Sequence, residues 1–308
     1  MDFGPYLLLA SLEGAVLASV LALMASGLSL VFGVMRVVNV AHGEFYMLGA
    51  VLAWWVASLA GGSVVVGFVL ALVFAPLIVG AVAAAADIVV LRRLSYDPER
   101  TIVATIGLLY IIQQLTLMSY GPEARPVVAP FNTRLAIPWF EVADGGLRMY
   151  WPWGLSTTSY KLFVIFAAVA VLAGLWAMMT RSRAGLLMRA TQQDREIAQA
   201  FGIPVERVYA AVFGIGAGLA ALAGVLIVPI QQAHYLMGLD ALLLSFIVVI
   251  IGGLGSLAGT VIAAVLIGMS EGIISVFFSP TLAKIIATLL VAFVLVFRPQ
   301  GLMGKRAR

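Results

Sequence analysis

The 308-residue sequence contains no cysteine, two histidines, and charged side chains at only 10% of its positions. Without cysteine there is no disulfide framework and no thiolate metal site. Two histidines are too few to build a histidine-based cluster, so zinc and thiol redox chemistry are excluded and no metal or organic cofactor is expected. Scarcity of charge excludes a soluble globule as well. With 63% hydrophobic residues and a mean hydropathy of +1.11, the chain has more apolar area than a water-soluble fold of this size can hide. Nucleotide and hydrolase motifs are also missing: there is no GxxxxGK[ST], no HExxH, and no GxSxG with a usable histidine. The chain is therefore not expected to be an enzyme, and any ATP-driven work must draw on an ATPase in another polypeptide.

What remains is a multi-span membrane protein, with an all-α bundle of eight to ten membrane segments as the expected fold. Residues 6–31 form a first apolar run long enough to cross about 30 Å of hydrocarbon, with Glu13 its only charge. They lack a basic start and a small-residue cleavage pattern, and Asp2 stands where a signal peptide carries positive charge, so they read as a retained span. Residues 27–49 contain Arg36, Asn39, His42 and Glu44 in an apolar background and predict a break or re-entrant turn. Further spans are expected over 45–59, 63–91, 101–119, 160–180, 208–230 and 282–297. Residues 120–158, rich in proline and carrying Trp139, Trp151 and Trp153, read as an external loop over the mouth of the bundle, its aromatics suited to a bilayer interface.

Net charge is +4 and the pI is near 9.5, but the arginines sit at the ends of apolar runs rather than in one stripe, so membrane orientation and not nucleic acid accounts for them. Placing residues 32–43, 92–100, 181–207 and 298–308 on one side gathers thirteen of the 18 basic residues there. Short cytoplasmic loops accumulate Lys and Arg. The 181–207 segment and the C-terminus are thus expected in the cytoplasm and the N-terminus outside, with residues 1–308 one transmembrane domain.

Residues 181–207 are the longest polar interruption between the later spans. Thr191 followed by Asp194 predicts a capped helix over 192–201, about ten residues and roughly 15 Å long. Gly202 and Pro204 end it. Ile197, Ala198 and Phe201 are expected on one exposed side, with Glu196, Arg189 and Arg195 as a charged surround. The alternative is a helix lying on lipid headgroups.

Several residues admit two readings. Most of the 31 glycines are expected to let helices pack closely, but Gly252, Gly253 and Gly255, between two half-length apolar runs, resemble a broken helix next to a translocation path. Arg36, Asn39, His42 and Glu44 either face that path or belong to a hydrated cytoplasmic connector. Asp87, close to the end of its apolar run, is expected either to pair with Arg92 or to lie at the interface. Glu271, amid apolar residues, needs a partner, a proton or a cavity.

Four stretches carry a family resemblance: GLSLVFGVMRVVNVAHGEFYMLGA (27–50), RATQQDREIAQAFGIPVERVYAAVFGIGAGLAALAGVL (189–226), IGGLGSLAGTVIAAVLIGMSEGI (251–273) and VFRPQGLMG (296–304). Together they resemble the permease subunits of branched-chain (hydrophobic) amino acid ABC importers, specifically the shorter of the two paired permeases. Residues Glu196, Ala198 and Gly202 fit the cytoplasmic E-x-A motif with glycine six residues after the glutamate, while the usual continuation to a distant Ile-x-Leu-Pro is absent. The resemblance implies a multi-pass protein of a bacterial cytoplasmic (inner) membrane. Its implied partners are a second homologous permease, two cytoplasmic ATP-binding subunits and an external (periplasmic) substrate-binding protein. Importers of urea, short amides or sugars read the same way, and an ion-coupled secondary transporter is the other class left open.

Overall fold

In hydrocarbon every backbone N–H and C=O must find its partner within the segment, so the long apolar runs form helices. The structure, a computed structural model, describes residues 3–137, 139–143, 146–150, 156–297 and 301–303. Helices α1 (Phe3–Met35), α2 (His42–Leu59), α3 (Val64–Ala86) and α4 (Pro98–Tyr120) come first. Four short strands follow: β1 (Arg134–Ala136), β2 (Trp139–Ala143), β3 (Gly146–Tyr150) and β4 (Ser156–Thr158). The chain continues through α5 (Ser159–Arg181), α6 (Arg183–Gln193), α7 (Arg195–Ala200) and α8 (Val205–Ile227). It ends its helical course with α9 (Met237–Gly252), α10 (Leu257–Phe277) and α11 (Pro280–Phe297).

Six described helices, α1, α3 with its extension to Leu94, α4, α5, α8 and α10, are long and apolar enough to cross a bilayer. The two central ones are α1 and α8, whose most apolar windows are 78% and 61% buried, against 22% for α4 and α5. Small residues explain the difference. A Cβ on Gly49 of α2 would stand 2.1 Å from the carbonyl oxygen of Ala221 on α8, and one on Gly272 of α10 would stand 2.3 Å from the Cα of Gly14 on α1. Backbones in such contact gain dispersion energy along their whole length, which is how membrane helices associate where lipid removes the hydrophobic drive. Glycine therefore serves packing here, as the composition suggests. Peripheral helices turn side chains such as Phe166 and Trp176 outward.

Several expectations change. The break predicted within 27–49 is confined to residues 36–41, and Arg36 ends α1 in the left-handed region at φ 56°. The 120–158 loop contains strands that its proline content concealed: β1 pairs with β4, and β2 with β3, both antiparallel. Trp151 and Trp153 lie outside the described residues. At the same end, Arg125 exchanges both backbone hydrogen bonds with Ala233, and its guanidinium stands 4.4 Å from the Trp54 ring and 4.8 Å from that of Tyr120.

The glycines at 252–255 separate α9 from α10. They form the turn of the α9–α10 hairpin, with Gly253 at φ 100° and Gly255 at φ 80°. Gly255 packs on Gly33 near the end of α1, and its carbonyl accepts from the Gln192 amide at 3.4 Å. The turn thus shares one end of the bundle with α6. Residues 301–303 return to it: the Leu302 N–H donates to the Ile251 carbonyl at 2.7 Å and the Met303 N–H to that of Gly252 at 3.2 Å. Those are carbonyls a helix C-terminus otherwise leaves open.

Candidate coupling surface

The polar stretch between α5 and α8 folds as two short helices, not one. Ser182 caps the first, its hydroxyl accepting from the Gly185 N–H at 3.0 Å. Asp194, extended at φ −154°, breaks the chain and caps the second by accepting from the Ile197 N–H at 3.0 Å. Thr191 is therefore not the cap that the sequence suggests. It is buried in the last turn of α6, where its hydroxyl donates to the Leu187 carbonyl at 2.9 Å. Two capping residues lie three apart, and the one with a free approach to the next turn takes the role. Gly202 closes α7 as expected, at φ 79°, with its N–H on Gln199 and that of Ile203 on Ala198, the paired pattern of a Schellman ending.

Ile197 on α7 and Phe201 at its C-cap are four residues apart and both outward, 56% and 83% exposed. Ala198 does not join them: it is 4% exposed and packs into the core. One residue of helix rotates a side chain by about 100°, so Ala198 is the contact that seats α7 on the bundle. Glu196 is exposed. Arg189 folds back, its guanidinium donating to the carbonyls of Gly185 and Thr180 at 3.4 and 3.5 Å. Arg195 also turns inward, standing 5.5 Å from the Tyr96 ring and 5.6 Å from the Tyr209 ring. Beside α6 opens a cavity of about 1040 Å³ lined by residues that include Arg36, Arg189, Gln192 and Ser256.

Asp194→Ala should cost α7 about 1 kcal/mol. Amide exchange within residues 195–200 is expected to accelerate roughly fivefold while the α8 amides keep wild-type rates, as befits local rather than global opening.

The remaining candidates separate. Asn39, His42 and Glu44 are buried, whereas Arg36 is exposed. Asn39 accepts from the Ala41 N–H at 3.1 Å, and His42 Nε2 donates to the Met24 carbonyl at 2.9 Å. Among the described residues no donor reaches the Glu44 carboxylate. Gly252, Gly253 and Gly255 lie beside α6, as described above. Glu271 is half-buried, with one carboxylate oxygen enclosed and lacking a hydrogen-bond partner among the described residues, and it lies within electrostatic reach of Lys284 and Asp240, an exposed pair whose Nζ and Oδ2 are 2.8 Å apart. Asp87 does not pair with Arg92, which joins Glu206 instead. It is buried and accepts from the Tyr96 hydroxyl at 3.3 Å. Tyr96 and Tyr209 escape sequence reasoning, since nothing in RRLSYDPER or VERVYAA marks either ring as facing the 181–207 segment.

Six described helices long and apolar enough to cross a bilayer, joined through small residues and with a polar excursion between α5 and α8, define a multi-pass integral membrane protein. The chain matches the family described as "Branched-chain amino acid transport system / permease component" over residues 10–295, and it belongs to that family. It is 28% identical to the high-affinity branched-chain amino acid transport system permease protein LivH of Escherichia coli (strain K12), covering 97% of this chain and 96% of the relative. Identity to the corresponding permease BraD of Pseudomonas aeruginosa is 27%, over 95% and 94% of the two chains. Among solved structures, PsaBC from Streptococcus pneumoniae in complex with Fab aligns with a TM-score of 0.46 and 13% identity, over 97% of this chain and 93% of that one.

Proposed function

We propose that this chain is the permease subunit of an ATP-driven importer that carries branched-chain or other hydrophobic amino acids across a bacterial inner membrane, and that α7 is where its ATPase docks. The observation that carries the docking assignment is the outward pair Ile197 and Phe201 on a capped helix that lies off the spans and is anchored beneath by Ala198. An apolar face of that kind needs a partner. Family membership and the LivH and BraD relatives support the transport system and the substrate class. Hydrolysis belongs to two separate ATP-binding subunits, and a second permease and an external binding protein complete the assembly.

Charge placement supports an external N-terminus and a cytoplasmic C-terminus. The ends that carry Arg36, Arg92 and the 181–207 arginines converge on one face through the Gly33–Gly255, Gln192–Gly255 and Arg195–Tyr96 contacts. At the other end Lys161 pairs with Glu13, Lys284 with Asp240, and Arg125 stacks on aromatic rings. Most of the arginines thus lie on the proposed cytoplasmic side. In this orientation the 252–255 turn stands at the inner exit of the path and Glu271 toward its outer end, while Asn39, His42 and Glu44 meet solute only when the bundle rearranges.

The test is reconstitution with a second permease, ATP-binding subunits and a binding protein of a branched-chain amino acid system. Proteoliposomes are expected to take up leucine, isoleucine and valine with ATP and to lose uptake without the ATP-binding subunits. Uptake of urea, amides or sugars alone would displace the substrate class, and ion-driven uptake without ATP would displace the mechanism.

A further inference from the structure

The segment proposed to receive the ATPase is joined to the membrane interior by a continuous line of contacts. Arg195, the first residue of α7, places its guanidinium over the rings of Tyr96 and Tyr209. Those two rings meet edge to face, centroids 4.6 Å apart. The Tyr96 hydroxyl donates to Asp87 Oδ2 at 3.3 Å, and Asp87 is fully buried at the end of α3.

Packing alone explains none of this. An interior carboxylate is retained only where other groups hold it, and the nearest arginine on its own element, Arg92, is engaged with Glu206 of α8. From Asp87 to Leu91 the backbone widens into a π-turn, a rare form that recurs at functional sites. After a short 3₁₀ turn, Ser95 and Tyr96 both adopt left-handed backbone, at φ 55° and 57°. Two consecutive side-chain-bearing residues in that region store strain, and such strain persists where surrounding contacts over-determine it. The strained pair is what turns the Tyr96 ring under Arg195 and its hydroxyl onto Asp87.

We propose that Arg195, Tyr96 and Asp87 form a relay that transmits displacement of α7 to α3, so that Tyr96 is a positioning residue for coupling ATP hydrolysis to transport. The proposal rests on the docking of the ATPase at α7. Each contact is of a kind that responds to small movement: a cation over a ring, an edge-to-face ring pair and one long hydrogen bond to a widened turn. A shift of α7 by an ångström or two either carries Tyr96 along or breaks the line. The ion pair Arg92–Glu206 and the buried Ala198 keep α7, α8 and the α3–α4 junction together while this occurs.

The test uses the fully assembled complex in proteoliposomes with the wild-type chain, Tyr96→Phe, Arg195→Gln and the double variant. Tyr96→Phe keeps the ring under Arg195 and deletes only the hydroxyl bonded to Asp87. The expected result is wild-type association of the ATP-binding subunits and retained ATP hydrolysis for Tyr96→Phe, with uptake per ATP lowered at least tenfold. Arg195→Gln should lower the same ratio, and the double variant should be no worse than the poorer single, since both cut one line. Wild-type uptake per ATP in Tyr96→Phe and Arg195→Gln overturns the relay, as does strict additivity of the two. Should Tyr96→Phe fail to accumulate, Arg195→Gln, on the surface end of the line, decides alone. A wild-type complex that never binds the ATP-binding subunits overturns the docking reading itself, which is a separate outcome.

Discussion

Phe201→Ala will weaken attachment of the ATP-binding subunit by about 2 kcal/mol, roughly a thirtyfold loss of affinity, while leaving the permease bundle intact. The side chain is 83% exposed, so its removal opens no cavity in this chain. Its exposure is the cost that a partner removes: an aromatic ring and the neighbouring Ile197 seated in a cleft provide the anchor pair that commonly dominates an interface. Aspartate at both positions should go further, adding charges that must be desolvated on docking, and should abolish copurification of the subunit. The measurement is association of purified subunits together with substrate-stimulated ATP hydrolysis. Wild-type values of both in Phe201→Ala would remove α7 from the docking site.

Gly49→Val is expected to destabilise the bundle by about 3 kcal/mol, near the upper end of the range for overpacked sites. A Cβ there meets the Ala221 carbonyl oxygen at 2.1 Å and the Ala221 Cα at 2.5 Å. Those are backbone atoms of a helix, so no rotamer change relieves the contact; α2 and α8 must separate. At roughly 2–4 °C per kcal/mol, the melting temperature of the purified protein should drop by on the order of 10 °C. Gly107→Ala is the control, because a Cβ at Gly107 meets nothing within 4 Å and alanine is the better helix former. If the two variants melt together, close packing of α2 on α8 is not what holds the core.

Spans are legible in the sequence because apolar length and hydrogen-bond closure leave a membrane segment few alternatives. Gly202 is legible for a related reason: a left-handed position after a turn of helix favours one residue type. Elsewhere the pattern underdetermines the answer. Thr191 and Asp194 are both acceptable caps, and only the burial of Thr191 against the bundle selects Asp194. Helical spacing places Ile197, Ala198 and Phe201 close together but does not say which faces solvent, and here Ala198 turns in. The 252–255 glycines show that the chain turns, whereas what the turn packs on is set by Gly33 and Gln192, residues remote in sequence. Tyr96 is the extreme case, since its inward ring depends on two left-handed residues that no local preference favours.

The clasp formed by residues 301–303 on α9 sets an order of assembly. The α9–α10 hairpin enters the membrane dozens of residues before Leu302 and Met303 leave the ribosome, so the Ile251 and Gly252 carbonyls they cap must wait, hydrated or borrowed by other donors. The turn at 252–255, which packs on α1 and on Gln192 of α6, can therefore take its final form only after synthesis of the last helix. Maturation of this end of the bundle is then a late, post-insertional event, and a polypeptide released early at position 298 would carry α1 to α11 and still lack the fastening on the α9–α10 turn.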